Sequence, residues 1–463
     1  MLTKYSSCGI SLDISRQKIN KDQLGVLIDL AEKKAVAPKF HAMINGEIIN
    51  TSEGRAVLHS SLRSTNPKAP FYSEVQKELQ HILNFAEAIR NGRWTGCKGD
   101  NITDVINVGI GGSDMGPKAV YQALRDSKEF IRLHFLTAAD PVLFERTVAN
   151  LDPFKTLVVV SSKSFKTRET LVNSVVIDQW LTNAGIVEEN RHKHIVVASA
   201  NPNAAQALSL PLENQFHIWD WVGGRFSVWS AIGLPVAIAL GAKTFKQLLA
   251  GAEAMDRHAA STPLHENMPA LLAILSYWNT NHNKMTSHCI LPYDERLRGF
   301  VFWLQQLEME SLGKAKKHDG QMTNELTSQT IWGGIGNESQ HSFFQCLREG
   351  TLNTSIAIIY SKKPGNVHYP ELHRVLIANA KAQMEALVTR NDGAPYINSV
   401  AAIEIDDLNP ERLGALMALY EHKTAMLAAL LELNAFDQPG VEYGKVLSLK
   451  AEEMLCDEKA HLF

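Results

Sequence analysis

Apolar residues recur along this chain in two rhythms, and the change from one to the other organises it. Over 22–34, Leu24, Leu27, Ile28 and Ala31 fall at helical spacing. Arg55, Ala56, Val57, Leu58 and His59 lie in a second apolar-periodic stretch, and 75–89 is a third. Residues 1 to about 95 therefore read as mainly helical. Gly92, Gly96 and Gly99 then mark a linker. Beyond it, short unbroken apolar runs alternate with helical patterns. Strands are expected at 105–108, 131–136, 157–160 and 195–198, with helices near 116–125, 141–151 and 167–181. This alternation predicts a parallel sheet covered by helices on both faces. Its connections are right-handed, and ligands sit at the carboxyl ends of its strands. From about residue 240 a second α/β unit follows. Its strands are expected at 289–292, 356–360 and 401–405, and its helices at 270–279, 298–312, 370–388, 410–433 and 441–455. The apolar run from Val228 to Leu240 reads as one further helix.

Composition narrows this picture only a little. At 463 residues the chain needs two or three core-forming units. Hydrophobic content of 45% and charged content of 21% are those of a globular protein in water. A net charge of −3 gives no reason to expect nucleic acid or an anionic membrane as partner. Cys8, Cys97, Cys289, Cys346 and Cys456 are scattered, odd in number and form no C-x-x-C pair. Neither a disulfide framework nor a zinc site is indicated, and a reducing compartment fits. The N-terminus lacks the basic-then-apolar pattern of a signal peptide. The longest mostly apolar run, 228–242, contains Pro235 and falls short of the roughly 20 residues a membrane-spanning helix needs. The expected location is the cytoplasm.

Six segments carry candidate chemistry. Val105 to Pro117 reads strand, then Gly109, Gly111 and Gly112, then Ser113-Asp114 opening a helix. Glycines permit close backbone approach and a helix N-terminus suits a phosphate; an ordinary βα turn is the competing reading. The spacing is neither G-x-G-x-x-G nor a Walker loop. Ser161 to Thr170 crowds hydroxyls and three basic side chains at another helix start. One N-cap needs one hydroxyl, so the excess favours an anion site. Gly223-Gly224-Arg225 presents a permanently charged fork suited to an oxyanion, or equally a surface arginine. In the helix over 298–312, Phe300, Trp303, Leu307 and Glu310 share one face, which puts Glu310 on the buried stripe and Glu308 off it. A carboxylate so placed is poised for general-base work; a structural glutamate paired to a base competes. Gly333 to Ser342 is a glycine loop leading into a helix at 342–347, and His341 at that junction could move a proton near neutral pH. Lys445 lies in the first turn of the last helix, opposing its dipole. His192 and His194 read as surface residues on a strand edge.

Taken together, these segments resemble the glucose-6-phosphate isomerase family, from about Leu12 to Lys445. R-A-V-L-H at 55–59, G-I-G-G-S-D-M-G-P, S-K-S-F-K-T-R-E-T, V-G-G-R-F-S, M-E-S-L-G-K, Q-H at 340–341 and F-D-Q-P-G-V-E-Y-G-K follow in the family's order. The resemblance implies two α-β-α sandwich sugar-isomerase domains with mainly parallel sheets. It divides the chain into a helical N-terminal segment (1–95) packing on the large domain, a small domain (96–240), a large domain (241–435) and a C-terminal helical segment (436–463) carrying active-site residues. It implies reversible isomerisation of glucose 6-phosphate to fructose 6-phosphate through a cis-enediol, in glycolysis and gluconeogenesis, with no metal or cofactor. Carried over, Glu310 is the base, Arg225 stabilises the enediolate, and His341 and Lys445 open the sugar ring. Ser113, Ser162, Ser164 and Thr167 match the phosphate-binding hydroxyls, Lys163, Gln306 and Gln438 other substrate contacts, and Gly112 and Gly224 close backbone approaches. The implied assembly is a homodimer whose shared site takes His341 from the other subunit. Ser164 and Lys166 stand where the family usually has Thr, and Asn337-Glu338-Ser339 departs from its usual Thr-Asn-Gly. A non-catalytic phosphosugar sensor would account for the phosphate loops but not for Glu310, Arg225, His341 and Lys445 together.

Overall fold

A computed structural model describes residues 4–125, 130–365, 368–389 and 398–460, with side chains to 455; the side chain of Cys456 lies outside this range. Among the described residues, eleven strands fall into two sheets. In chain order they are β1 (Lys4–Ser7), β2 (Ile10–Arg16), β3 (Asp104–Val108), β4 (Arg132–Leu136), β5 (Thr156–Ser161), β6 (Ile195–Ser199), β7 (Gln215–His217), β8 (Ser287–Pro292), β9 (Thr330–Gly333), β10 (Ser355–Ser361) and β11 (Ser399–Ile405).

The first sheet has the order β4-β3-β5-β6-β7 and is parallel throughout. Strands β3, β5 and β6 are buried along their whole length, as their unbroken apolar runs require of strands covered on both faces. The second sheet runs β1-β2-β11-β10-β8-β9. Its β11-β10-β8-β9 part is parallel, whereas β2 pairs antiparallel with β11 and β1 antiparallel with β2.

That edge hairpin corrects the reading of 1–95 as mainly helical at its start. Ile10, Leu12 and Ile14 alternate with Ser11, Asp13 and Ser15, a period of two that seats the apolar side chains in the core. Short strands β7 and β9, three and four residues long, were likewise too brief to leave a pattern. The stretch around Arg55–His59 becomes a 3-10 turn over His59–Arg63. The run 228–240 is broken rather than one helix: a 3-10 turn (Ala231–Gly233) precedes the helix Leu234–Leu240, with Pro235 in its first turn, where its missing N–H costs nothing.

Helix Pro410–Leu431 is buried on every face and packs against Ala242–Ser261 and Met268–Tyr277. The crossing with Ala242–Ser261 needs glycine: a Cβ on Gly251 would lie 1.7 Å from the Glu411 carbonyl oxygen, and one on Gly414 2.0 Å from that of Leu248. Three consecutive ionisable residues, Glu421, His422 and Lys423, sit inside this helix with partners. Arg63 binds both Glu421 (2.8 Å) and Asp256 (2.7 Å), His422 Nε2 meets Asp256 at 2.6 Å, and Trp229 Nε1 donates to Glu421 at 2.7 Å. Burial favours a neutral Asp256, but the charge and bonds of Arg63 outweigh it and hold that carboxyl well below its ordinary range.

Candidate active site at the carboxyl ends of β3 and β5

Strands β3 and β5 are parallel neighbours, so the loops that leave them emerge side by side. After β3 the chain turns at Gly111 (φ 62°) and enters the helix Gly112–Leu124, four residues earlier than the sequence pattern suggested. A Cβ on Gly112 would lie 2.1 Å from the carbonyl oxygen of Gly224, so the two backbones touch. Ser113 stands in the first helical turn. Burial lifts the Asp114 carboxyl to about 6, opposed by Lys118 at 4.0 Å.

After β5, Ser162 Oγ accepts the Phe165 N–H at 3.1 Å and Ser164 Oγ accepts the Lys166 N–H at 3.3 Å. Phe165 is held at φ 53°, the left-handed region that a bulky residue enters only at a cost. Thr167 is the N-cap of helix Arg168–Asn183, yet its side chain makes no capping bond. The hydroxyl excess is thus partly explained by turn formation, while Thr167 Oγ1 and the Ser hydroxyl protons stay available. Lys163 Nζ donates to the Asp220 carbonyl at 2.7 Å, tying this loop to the segment that leads into Gly223-Gly224-Arg225. Burial, assisted by nearby Arg55, draws the Lys163 ammonium down to about 8.

Arg225 lies at the centre. It is buried, and every nitrogen of its guanidinium is engaged: Nε donates to Ser311 Oγ (2.7 Å), Nη1 to Glu310 Oε1 (2.7 Å) and Gln438 Oε1 (3.1 Å), and Nη2 to the carbonyls of Ala435 (2.7 Å) and Asp437 (2.9 Å). Burial lowers its pKa, and Glu310 and Asp437 oppose that shift. The other Glu310 oxygen accepts from Gln306 Nε2 at 2.9 Å. Gln306 in turn borders Gly111, where a Cβ would come within 3.3 Å of its Nε2.

Glu310 is not on the buried stripe. The helix Arg298–Gln305 passes into a π turn over Gln306–Glu310, whose wider ring rotates the residues within and after it. Glu308 therefore turns into the core (side chain 4% exposed), while Glu310 faces Arg225 with a quarter of its side chain exposed. The even 3.6-residue count assigned these two carboxylates the wrong way round.

The structure brings Gly112, Ser113, Lys163, Gly224, Arg225, Gln306, Glu310 and Gln438 into one connected neighbourhood. Among the described residues, no hydrogen bond or ion pair ties the side chain of His341 or Lys445 to it. His341 is exposed at the end of a short helix Gly336–Gln340, not at the start of one over 342–347; the next helix is Phe344–Glu349. Lys445 Nζ binds Glu442 at 2.7 Å on the helix Pro439–Ala460, whose described side chains are exposed almost throughout. His194, read as a surface residue, is fully buried: its ring meets the Cys97 N–H and the Thr156 carbonyl, both at 3.0 Å.

Sequence reasoning missed the support around Arg225. Lys314 Nζ binds the Asp437 carboxylate (3.0 Å) and the Asn434 carbonyl, and Ser52 Oγ and Asn434 Nδ2 donate to Asp437 Oδ2. Lys314 and Asp437 were legible only as members of M-E-S-L-G-K and F-D-Q-P-G. His59 stacks on Phe226 with ring centroids 4.6 Å apart, beside the arginine. Burial, then the charge of Arg63, keeps its imidazole well below the usual pKa.

Loops at adjacent strand ends that can receive an anion, set beside a buried cation paired to a carboxylate, are the anatomy of an α/β enzyme acting on a phosphorylated small molecule. Comparison with known proteins makes this specific. The chain belongs to the phosphoglucose isomerase family, whose profile matches residues 13–461. It is 40% identical over 475 aligned positions to the glucose-6-phosphate isomerase of Burkholderia multivorans, covering 98% of this chain and 87% of that protein. It superposes on a crystal structure of a glucose-6-phosphate isomerase from Chlamydia trachomatis with a TM-score of 0.87 at 29% identity, over 98% of this chain and 90% of the other. A hypothetical protein from Thermus thermophilus gives 0.76 at 30% identity, over 96% and 99% of the two chains.

Proposed function

We propose that this chain interconverts D-glucose 6-phosphate and D-fructose 6-phosphate, the aldose–ketose isomerisation shared by glycolysis and gluconeogenesis, with Glu310 as the base and Arg225 as the enediolate's cation. The observation that carries the assignment of roles is the 2.7 Å contact between Arg225 Nη1 and Glu310 Oε1, with the hydroxyl-bearing loops after the neighbouring strands β3 and β5 supporting the phosphate's place.

The chemistry sets the demand. A C–H next to a carbonyl is a weak acid, and a positioned base contributes roughly 10²–10⁴-fold. Stabilising the oxyanion supplies several kcal/mol more, and a buried guanidinium, always protonated, is a suitable source. In the open-chain aldose, Glu310 takes the C2 proton. The electron pair becomes the C1–C2 double bond, and the former carbonyl oxygen becomes an enediolate oxygen beside Arg225. The same carboxyl then returns the proton to C1 while the O2 hydroxyl proton passes to O1, so that C2=O2 forms as the C1–C2 double bond is lost and O1 becomes the C1 hydroxyl of the ketose. Gln306 and Arg225 each hold one Glu310 oxygen, which fixes the plane of the carboxylate.

The phosphate end is assigned to Ser113, Ser162, Ser164 and Thr167, with Lys163 adding charge, and Gly112 and Gly224 admit the substrate close to the backbone. Gln438 orders Arg225 and the sugar. Ring opening falls to His341 and Lys445. Because His341 is exposed and no bond ties it to Glu310 among the described residues, the reading includes a homodimer in which His341 comes from the second copy. Support for a second copy comes from the helix Pro439–Ala460, which exposes Tyr443, Val446, Leu447, Leu449 and Met454. The division at about residue 240 into two sugar-isomerase domains belongs to the same proposal; the first sheet ends at His217 and the parallel strands of the second begin at Ser287.

The test is Glu310→Gln. It keeps the shape and the Gln306 contact but cannot accept the C2 proton. Turnover is expected to fall by at least about 10³-fold while 6-phosphogluconate still binds, measured by a coupled assay and by calorimetry. Turnover near the parent's value would remove Glu310 as the base.

A further inference from the structure

The carboxylate two residues before Glu310 has no part in the reaction just described, yet it is the more deeply buried. Glu308 Oε2 meets Lys423 Nζ at 2.5 Å, with side chains 4% and 2% exposed. Two charges held out of water depend on each other, because either one alone would be left uncompensated. Lys423 is fixed on the long helix Pro410–Leu431, whose residues 413–428 are all buried. Glu308 stands in the middle of the π turn Gln306–Glu310. Such a turn is rare and occurs mostly as a single turn inside an α-helix, frequently at a functional site. Here one contact reaches inward, from Glu308 to Lys423, and two reach outward, from Glu310 to Arg225 and Gln306. Glu308 Oε1 has no hydrogen-bond partner among the described residues, and Glu308 lines, with Ser276, Thr280 and Gln329 among others, a space of about 10 Å³, room for one water molecule.

We propose that the Glu308–Lys423 ion pair is a positioning device for the isomerase reaction: it pins the π turn to the core so that Glu310, the next residue but one, meets the substrate carbon in register. Neither member touches the substrate. The proposal rests on the reading of Glu310 as the base. It differs from a purely structural role in what it predicts for each kinetic constant.

The experiment is the double substitution Glu308→Leu with Lys423→Met, which removes both charges at nearly constant volume and so leaves no unpaired ion. Expected is a folded enzyme with unchanged KM and unchanged affinity for 6-phosphogluconate. Its kcat falls roughly 10–100-fold, because a misplacement of about 1 Å is felt in proton transfer. The primary isotope effect with C2-deuterated glucose 6-phosphate rises as that transfer becomes limiting. Lys423→Arg, which keeps the charge pair, retains most of kcat. A folded double variant with the parent's kcat overturns the proposal, and so does one whose inhibitor affinity falls in step with kcat. If the double variant does not fold, Glu308→Asp decides: it keeps the charge but shortens the anchor, and an unchanged kcat there is equally fatal. Glu310→Gln run in parallel separates the two readings. If it turns over, the base assignment fails and takes the positioning role with it. If it is inactive while the double variant is fully active, only the positioning role fails.

Discussion

Lys163 offers a titration at the scale of one residue. Its ammonium is drawn down to about 8 by burial and by Arg55, so it is charged below that pH and neutral above it. A neutral amine no longer attracts a phosphate dianion. Losing one charge-assisted hydrogen bond costs about 1.5–3 kcal/mol, so KM for fructose 6-phosphate is expected to rise by up to about tenfold between pH 7 and pH 9, the limit set by a pKa of about 8, with kcat little changed. Lys163→Arg, charged throughout, should flatten that rise in a KM–pH profile. The residues at this scale were readable as types but not always as directions. Arg225 and Glu310 stood out by their motifs. That Glu308 points inward and Glu310 toward the arginine depended on a π turn, which no count at 3.6 residues per turn can anticipate.

Between elements, the closest joint is Gly112 against Gly224. An added methyl would sit 2.1 Å from the Gly224 carbonyl oxygen and 2.8 Å from the Arg225 nitrogen, both backbone atoms that cannot step aside. Gly112→Ala is expected to cost about 1–3 kcal/mol in stability and, by pushing the arginine loop off the β3 loop, roughly 100-fold in kcat/KM. Gly25→Ala is the control. Gly25 lies within helix Lys21–Lys33 with nothing among the described residues near its Cβ position, and the change should stabilise by roughly 0.5–1 kcal/mol with unaltered kinetics. Thermal melts and steady-state assays check both. The strands of the parallel sheet were legible because doubly covered strands must be apolar without interruption. Hairpin β1-β2 was not, since seven residues of period two are swamped by the helical stretches that follow. The 228–240 run was misread as one helix because apolarity alone does not record where Pro235 lets a helix begin.

For the whole molecule, the question is whether one chain holds a complete site. Among the described residues no bond ties His341 to Glu310, and the proposed answer is a second copy that supplies this histidine. Light scattering is expected to give the mass of a dimer. Glu310→Gln and His341→Ala, each inactive alone, should regain activity when mixed under conditions that exchange subunits, because one mixed site then carries both native residues. A fully active monomer, or no recovery on proven exchange, would contradict a shared site. A chain ending before Pro439 loses Lys445 and the exposed apolar helix together, and should be both monomeric and inactive.

The alternation of α and β, the central parallel strands of both sheets, the glycine and hydroxyl loops and the family were determined by the sequence itself, because backbone sterics, apolar periodicity and motif spacing are local. Which of two neighbouring glutamates meets Arg225 was decided by tertiary structure, as was the pairing of Lys423 with Glu308. So was the placing of the stretch from Val105 to Pro117 against Gly224. Each depends on atoms more than 80 residues apart along the chain being held within hydrogen-bond or contact distance. Only the packed core enforces such distances.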